Sequence, residues 1–232
     1  GQAVQGAIWA YDLQTPDSKP LNLTSQIKFS FRPHGIGLLA EGEGGELMVV
    51  NHRGGGSSGV KDTIEVFSLG KDTLKHVRTV KGDMLLSVND VIPSGGGRFY
   101  VSIDHGNASG YLRKVEDYLR LPLAFVAYFD TLRFRRVADG IRFANGINLS
   151  RDKSRLYVAG TTDRLIHVYE RSNNYGSLIK RGTFETGTGV DNIELDSEGD
   201  LWVGALPKLL TFVEHSGDKE KLSPSQVLRI DQ

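Results

Sequence analysis

The chain has no cysteine, which excludes disulfides, thiolate metal sites and a cysteine nucleophile, without fixing a compartment. It has no surplus of either charge: 28 Lys and Arg stand against 28 Asp and Glu. The basic excess that marks a nucleic-acid partner is missing, and so is a charged tail. No apolar run approaches the roughly 20 residues of a membrane helix. The opening GQAVQGAIWAYDL has no basic segment followed by a long apolar one, so no signal peptide is read there. Helical periodicity is scarce. Glycine is abundant, 28 of 232 residues or about 12%, against a usual ~7%. That excess points to many turns joining many short strands, in a chain long enough for one large domain or two small ones.

Strand-like runs recur: AIWAYDL (7–13), ELMVV (46–50), TIEVFSL (63–69), RFYVSI (98–103), AFVAYF (124–129), RLYVAG (155–160), RLIHVYE (164–170), DLWVGA (200–205) and VLRI (227–230). They are rich in β-branched and aromatic residues, and Gly, Asn, Asp or Ser clusters bound most of them. One helix is predicted, Tyr111–Leu121, where Leu112, Val115, Tyr118 and Leu119 recur at helical spacing.

The runs belong to a repeat. His34-Gly35-Ile36, Asn89-Asp90-Val91, Asn145-Gly146-Ile147 and Asp191-Asn192-Ile193 match one another, their third positions 55, 56 and 46 residues apart. Each is followed by a second matching run, ELMVV, RFYVS, RLYVA or DLWVG, and then by two further strand candidates. Four strands at this period describe a propeller blade. The units are placed at about 34–80, 89–138, 145–184 and 191–230, with a partial blade over 1–33, in one all-β domain. Four and a half blades do not obviously close a ring, so the chain is read as a small or irregular propeller or as one lacking further sequence.

The first positions of the repeat are His34, Asn89, Asn145 and Asp191, and the second are Gly35, Asp90, Gly146 and Asn192. Innermost propeller strands surround one axis, so equivalent positions converge. The expectation is a ring of amide and carboxylate oxygens, a donor set that suits Ca²⁺ and not zinc. The plainer alternative is that Asn and Asp simply begin strands and turns.

FRPHGIGL (31–38), VVNHRG (49–54), SVNDVIP (87–93), GYLRKVEDYLRLPLAFVAYF (110–129), FANGINLS (143–150), IHVYER (166–171), VDNIELD (190–196), GDLWVG (199–204) and QVLRI (226–230) resemble, in order and spacing, the serum paraoxonase/arylesterase family. The resemblance implies a six-bladed β-propeller, here incomplete at both ends. It implies two Ca²⁺ ions in a central tunnel and hydrolysis of lactones and aryl esters, with a small-molecule partner and no obligate protein partner. Asn89, Asn145, Asp191 and Asn192 resemble side-chain ligands of the catalytic ion. Asp90 resembles a ligand of the structural ion, joined by the backbone carbonyl of Ile36. His34 resembles the general base, and His52 its partner in a His–His dyad. Phe143 and Tyr111 match positions near the substrate pocket, and His105, in a family-like Asp-His pair, is read as structural.

The sequence also departs from that pattern. The family's N-terminal Glu-Asp pair, which supplies further calcium carboxylates, has no counterpart before residue 30, so both sites are expected to be weakened. The closing C-terminal sequence and the two cysteines that tie the family's ends are missing. The chain therefore reads as a shortened or processed part of a longer protein, or as a divergent member. Leu206 stands where the family often has a histidine, which leaves His34 as the base.

GGGSSGVK (54–61) imitates a phosphate-binding loop but has a misplaced Lys61 and a following strand, so it is read as a hairpin or entry loop. GEGGE (42–46) and GTG (187–189) are read as turns. The segment 111–126 is read as a helix packed on the top face, or else as a lid touching a lipid surface. Sequons at Asn22 and Asn107 permit a secreted glycoprotein, whereas Asn148 lies in an expected inner strand. Two rivals to the hydrolase stay open: a non-catalytic binding propeller, favoured by the missing carboxylates, and a single-metal gluconolactonase-like sugar lactonase, disfavoured by Asp90 and by the PHG and VNH motifs.

Overall fold

The computed structural model describes residues 5–41, 44–53, 60–70, 72–107, 110–172 and 175–232. A two-stranded ribbon, β1 (Trp9–Ala10) with β2 (Leu21–Asn22), precedes four meandering antiparallel sheets. The first contains β3 (Pro33–Glu41), β4 (Gly44–Asn51), β5 (Thr63–Leu69) and β6 (Leu74–Val80). The second contains β7 (Val88–Gly95), β8 (Arg98–Ile103), helix α1 (Gly110–Leu119), β9 (Ala124–Phe129) and β10 (Phe134–Ile141), with the helix between its middle strands. The third contains β11 (Ala144–Leu149), β12 (Arg155–Gly160), β13 (Leu165–Arg171) and β14 (Leu178–Glu185). The fourth contains β15 (Gly189–Leu195), β16 (Leu201–Leu206), helix α2 (Leu209–Gly217) and β17 (Gln226–Ile230).

The arrangement is that of an all-β propeller, with the first strand of each sheet beside the first strand of the next. The core lies between neighbouring sheets. Met48, Val50, Ile64 and Val66 of the first sheet meet Val91, Phe99 and Val101 of the second in one buried cluster. Tyr100, Val126 and Tyr128 meet Ile147, Leu156 and Val158 in the next, and Tyr157 and Ile166 meet Val190, Ile193 and Val203 in the third. A fourth cluster packs Ile8, Leu23, Ile27 and Phe29 of the N-terminal segment with Phe31, Phe67 and Leu74.

Two expectations differ from what is observed. The AIWAYDL run pairs only through Trp9 and Ala10, because its flanks find no partner strand among the described residues. The last unit has three strands, with α2 standing between β16 and β17. Its apolar Leu209, Leu210, Phe212 and Val213 fall at helical spacing after Pro207, a pattern too short to stand out in sequence. In α1 the apolar stripe faces outward: Leu112, Tyr118 and Leu119 are exposed, and the buried residue is Glu116. The phosphate-loop imitation at 54–59, the tip of GEGGE at 42–43 and part of the Asn107 sequon lie outside the described residues.

The repeated tripeptides share one local geometry. Strand pairing breaks between Pro33 and Ile36, between Val88 and Val91, between Ala144 and Ile147, and between Val190 and Ile193. At each break two residues face a single partner residue, which is a β-bulge. Pairing resumes at Ile36–Val49, Val91–Val101, Ile147–Val158 and Ile193–Val203, β-branched pairs suited to a sheet.

The bulges interlock. A Cβ added to Gly35 would lie 2.4 Å from the Asn89 carbonyl oxygen and 2.5 Å from the Asp90 Cα, and one added to Gly146 would lie 2.6 Å from both the Asn192 Cα and the Asp191 carbonyl oxygen. Between these pairs the Asp90 carboxylate accepts the Ile147 N–H at 3.0 Å. Gly35→Ala and Gly146→Ala are therefore expected to destabilise the fold by about 1–3 kcal/mol each, since backbone must move to admit the methyl group. Gly182→Ala, with nothing within 4 Å, serves as the comparison. Denaturant unfolding checks this, and equal midpoints for all three variants would contradict it.

Candidate active site

The four bulges open onto one cavity of about 800 Å³, walled by His34, His52, Asn89, Asn145, Asp191 and Asn192 among others. In each bulge a first-position side chain leaves the ladder and reaches the same space. Asn89 and Asn145 are buried, Asp191 is half-buried, and His34 and Asn192 are exposed to the opening. Phe143 lines the cavity and holds φ at 59°, a left-handed conformation uncommon outside glycine.

His34 and His52 meet with ring centroids 4.7 Å apart and planes at 43°. His52 is set at the end of β4, where its N–H donates to the Arg32 carbonyl at 3.0 Å. The buried Asn51 beside it accepts the Arg32 N–H at 2.8 Å and donates to the Ser30 carbonyl and to Glu65. The His52 Nδ1 lies 2.9 Å from the Asp62 carboxylate, at ion-pair distance without hydrogen-bond alignment. Asp62 is fixed in turn, accepting the Val88 N–H at 2.8 Å. Desolvation by the surrounding cavity walls, despite the side chain's open edge, and the neighbouring His52 hold the His34 imidazole below its ordinary value, against the opposing pull of Asp104, Asp191 and Asp62.

The carboxyls near the axis carry the opposite perturbation. Burial pushes Asp90 up to about 7, although the Ile147 and Val91 N–H groups favour its charged form. The like charges of Glu194 and Asp191 add to that rise. Asp191 is raised by burial, opposed by Asn145, His34 and its neighbour's N–H, and burial raises Glu194 too. Among the described residues no three His, Cys, Asp or Glu side chains come together as a metal cage. The bulge side chains that line the cavity are three amides, Asn89, Asn145 and Asn192, one carboxylate, Asp191, and the His34 imidazole. The amide and carboxylate oxygens of this set, beside acids whose charge is disfavoured, fit a hard divalent cation. Asp90 has a further task, because its two oxygens tie the Val91 and Ile147 amides. Ile36, whose carbonyl the resemblance assigns to a second ion, lies in β3 with its side chain exposed.

A model of the Arylesterase family matches residues 2–232. The chain belongs to the arylesterase family. It is 37% identical to serum paraoxonase/arylesterase 2 of Rattus norvegicus and 36% identical to serum paraoxonase/arylesterase 1 of Homo sapiens, each over 97% of its own length. It spans 63% of the length of each of these relatives. Among solved structures, a putative gluconolactonase aligns with a TM-score of 0.57 at 18% identity, covering 86% of this chain and 64% of that one. A luciferin-regenerating enzyme aligns with a TM-score of 0.50 at 16% identity, covering 81% of this chain and 59% of that one. At such identities the likeness concerns the fold alone.

This arylesterase-family chain does not bring Tyr111 to the cavity: it is 79% exposed on the outer side of α1. The helix instead offers Arg113 and Asp117 to the cavity wall, joined by Arg120 of the turn that follows it. The reason lies beneath it. His105, read as structural, lines the cavity between two carboxylates, with Nδ1 2.6 Å from Asp104 and Nε2 2.6 Å from Asp117. Glu116 accepts the Gly106 and Asn107 N–H groups. Buried polar groups must find partners, so α1 turns its acidic face inward and leaves its apolar stripe in solvent. The spacing of Asp104-His105 against Glu116-Asp117 was visible in sequence, although the pairing was not. A second unforeseen part is an apolar wall from Leu206, Leu209, Phe212 and Val213.

Burial alone would lower His105, but its two carboxylate partners outweigh burial and the net shift is upward. Its contribution to stability is therefore complete below its ordinary value near 6.5 and is lost as pH rises through the higher folded value. In an NMR titration the His105 ring is expected to have its midpoint above 6.5, and Asp117→Asn to move that midpoint down. A native midpoint at or below 6.5 would contradict the carboxylate clamp.

Proposed function

We propose that this protein hydrolyses lactones and aryl esters of carboxylic acids. The observation that carries the reading is the His34–His52 pair, backed by Asp62, at the mouth of the cavity that also receives the Asn89, Asn145, Asp191 and Asn192 side chains. His34 is the general base. Its depressed pKa keeps the imidazole neutral at physiological pH, so it is free to take a proton from water. His52 sits against His34 and orients it, while the Asp62 carboxylate holds His52 in place.

The added water oxygen forms a bond to the acyl carbon, and its proton passes to His34. As the acyl C–O bond breaks, that proton goes to the departing alcohol or phenol oxygen. Asn89, Asn145, Asp191 and Asn192 would hold a calcium ion, and Asp90 with the Ile36 carbonyl a second. A bound cation there supplies Lewis-acid stabilisation of charge on the acyl oxygen. The apolar wall of Leu206, Leu209, Phe212 and Val213 suits an aryl or alkyl leaving group and excludes water from it.

With phenyl acetate or a simple lactone as substrate, EDTA is expected to abolish turnover and added calcium to restore it. His34→Gln is expected to lower kcat by about 10²–10⁴. Asn192→Ala is expected to lose more activity than His52→Ala, because it removes a proposed metal donor and not an orienting group. Turnover unaffected by chelation, or a fully active His34→Gln variant, would reject this reading.

A further inference from the structure

A second cavity, of about 370 Å³, lies at the end of the second sheet remote from the candidate active site. The register of β7 and β8 sets the direction: Val88 pairs with Ile103 at the active-site end, and Gly95 pairs with Arg98 at the other. Arg98, Tyr128, Asp130, Thr131 and Arg135 line this cavity. Tyr128 is 1% exposed, and its hydroxyl is buried without a hydrogen-bond partner in the described structure. A buried hydroxyl in that state carries a desolvation cost that a ligand could remove.

The charges around that hydroxyl are mainly positive. No hydrogen bond or ion pair of Arg98 forms among the described residues. Arg135 lies over the Tyr128 ring at 5.6 Å, donates to the Tyr175 carbonyl, and has its Nε 3.5 Å from Asp130. Asp130 is the one acid of the wall, and much of its capacity is taken: it accepts the Leu132 and Arg133 N–H groups at 3.0 and 2.9 Å. Arg78 stands next to the wall, donating to the Gly97 carbonyl at 3.0 Å. Thr131 holds φ at 86°, a conformation that a β-branched residue rarely adopts, which sets its place in the wall.

We propose that this cavity binds a small organic oxyanion, a carboxylate or a phosphate monoester. The Arg98 guanidinium and the Tyr128 hydroxyl donate to the anionic oxygens, and Arg135 supplies a second positive charge. Guanidinium forks match the geometry of both oxyanions. The volume falls at the lower end for small-molecule sites and leaves room for a short substituent on the anion. The site is independent of the hydrolase reading, since none of its residues lines the active-site cavity.

The test is calorimetric titration of the full chain with inorganic phosphate and, separately, with succinate. At least one is expected to saturate, and whichever binds more tightly assigns the class of oxyanion. Arg98→Ala and Tyr128→Phe are each expected to weaken it about tenfold. Tyr128→Phe removes an unpaired oxygen only, so without anion its Tm is expected to equal or exceed the native value, which guards against loss of fold. Phenyl acetate hydrolysis by Arg98→Ala is expected to be unchanged. The proposal is overturned if neither anion saturates, or if either variant binds as tightly as the native chain.

Discussion

Everything at the centre of this protein depends on one backbone irregularity made four times. Each inner strand loses register for two residues, and the first of each pair, His34, Asn89, Asn145 or Asp191, is polar. Within a regular ladder, side chains alternate between faces and would be drawn into packing between the sheets. A bulge frees two residues from that alternation and bends the strand. His34, Asn89, Asn145 and Asp191 thereby reach a common space, while the Ile and Val that follow them return to pairing. The bulges also fit one another by size. Gly35 and Gly146 alternate with Asp90 and Asn192, so that a residue without a side chain always faces one that has one.

The same interlock explains the electrostatics. Bringing strand backbones this close buries Asp90 and partly buries Asp191, and burial disfavours their charge. The N–H groups of Val91 and Ile147 offset that for Asp90 without removing it. The cost is concentrated at the axis, where a positive charge would be favoured. His34 does not supply that charge, since burial and His52 hold it toward the neutral form. An environment that keeps carboxyls in want of a cation and an imidazole free to accept a proton is what the hydrolysis proposed above requires.

Much of the architecture was legible in the residues. The four tripeptides and the runs that follow them mark the inner strands and their partners, because β-branched residues and turn-forming glycines state both period and boundary. The all-β propeller follows from that repeat. The bulge itself was not legible, since nothing in Asn-Asp-Val declares a register break until its partner strand is known. The place of helix α1 is legible to within two residues, but its orientation is not. The apolar spacing of Leu112, Val115 and Leu119 marks a helix without saying which face packs, and it is the acidic face that does: Asp117 meets His105, itself held by Asp104, and Glu116 accepts the Gly106 and Asn107 N–H groups. Helix α2 was missed because nine residues carry too little periodic signal. Asp62 was missed as the neighbour of His52 because the two are joined only through the fold of the first sheet.

The central claim is that the four bulges present their donors to a single point. It is tested most directly by calcium titration of the ¹⁵N-labelled full chain, following the side-chain amides of Asn89, Asn145 and Asn192. The account predicts that all three shift together along one saturation curve. Asn51, bonded to Glu65 in the body of the first sheet, should stay still. Amides that do not respond, or that respond with separate midpoints, would contradict convergence and remove the basis of the site.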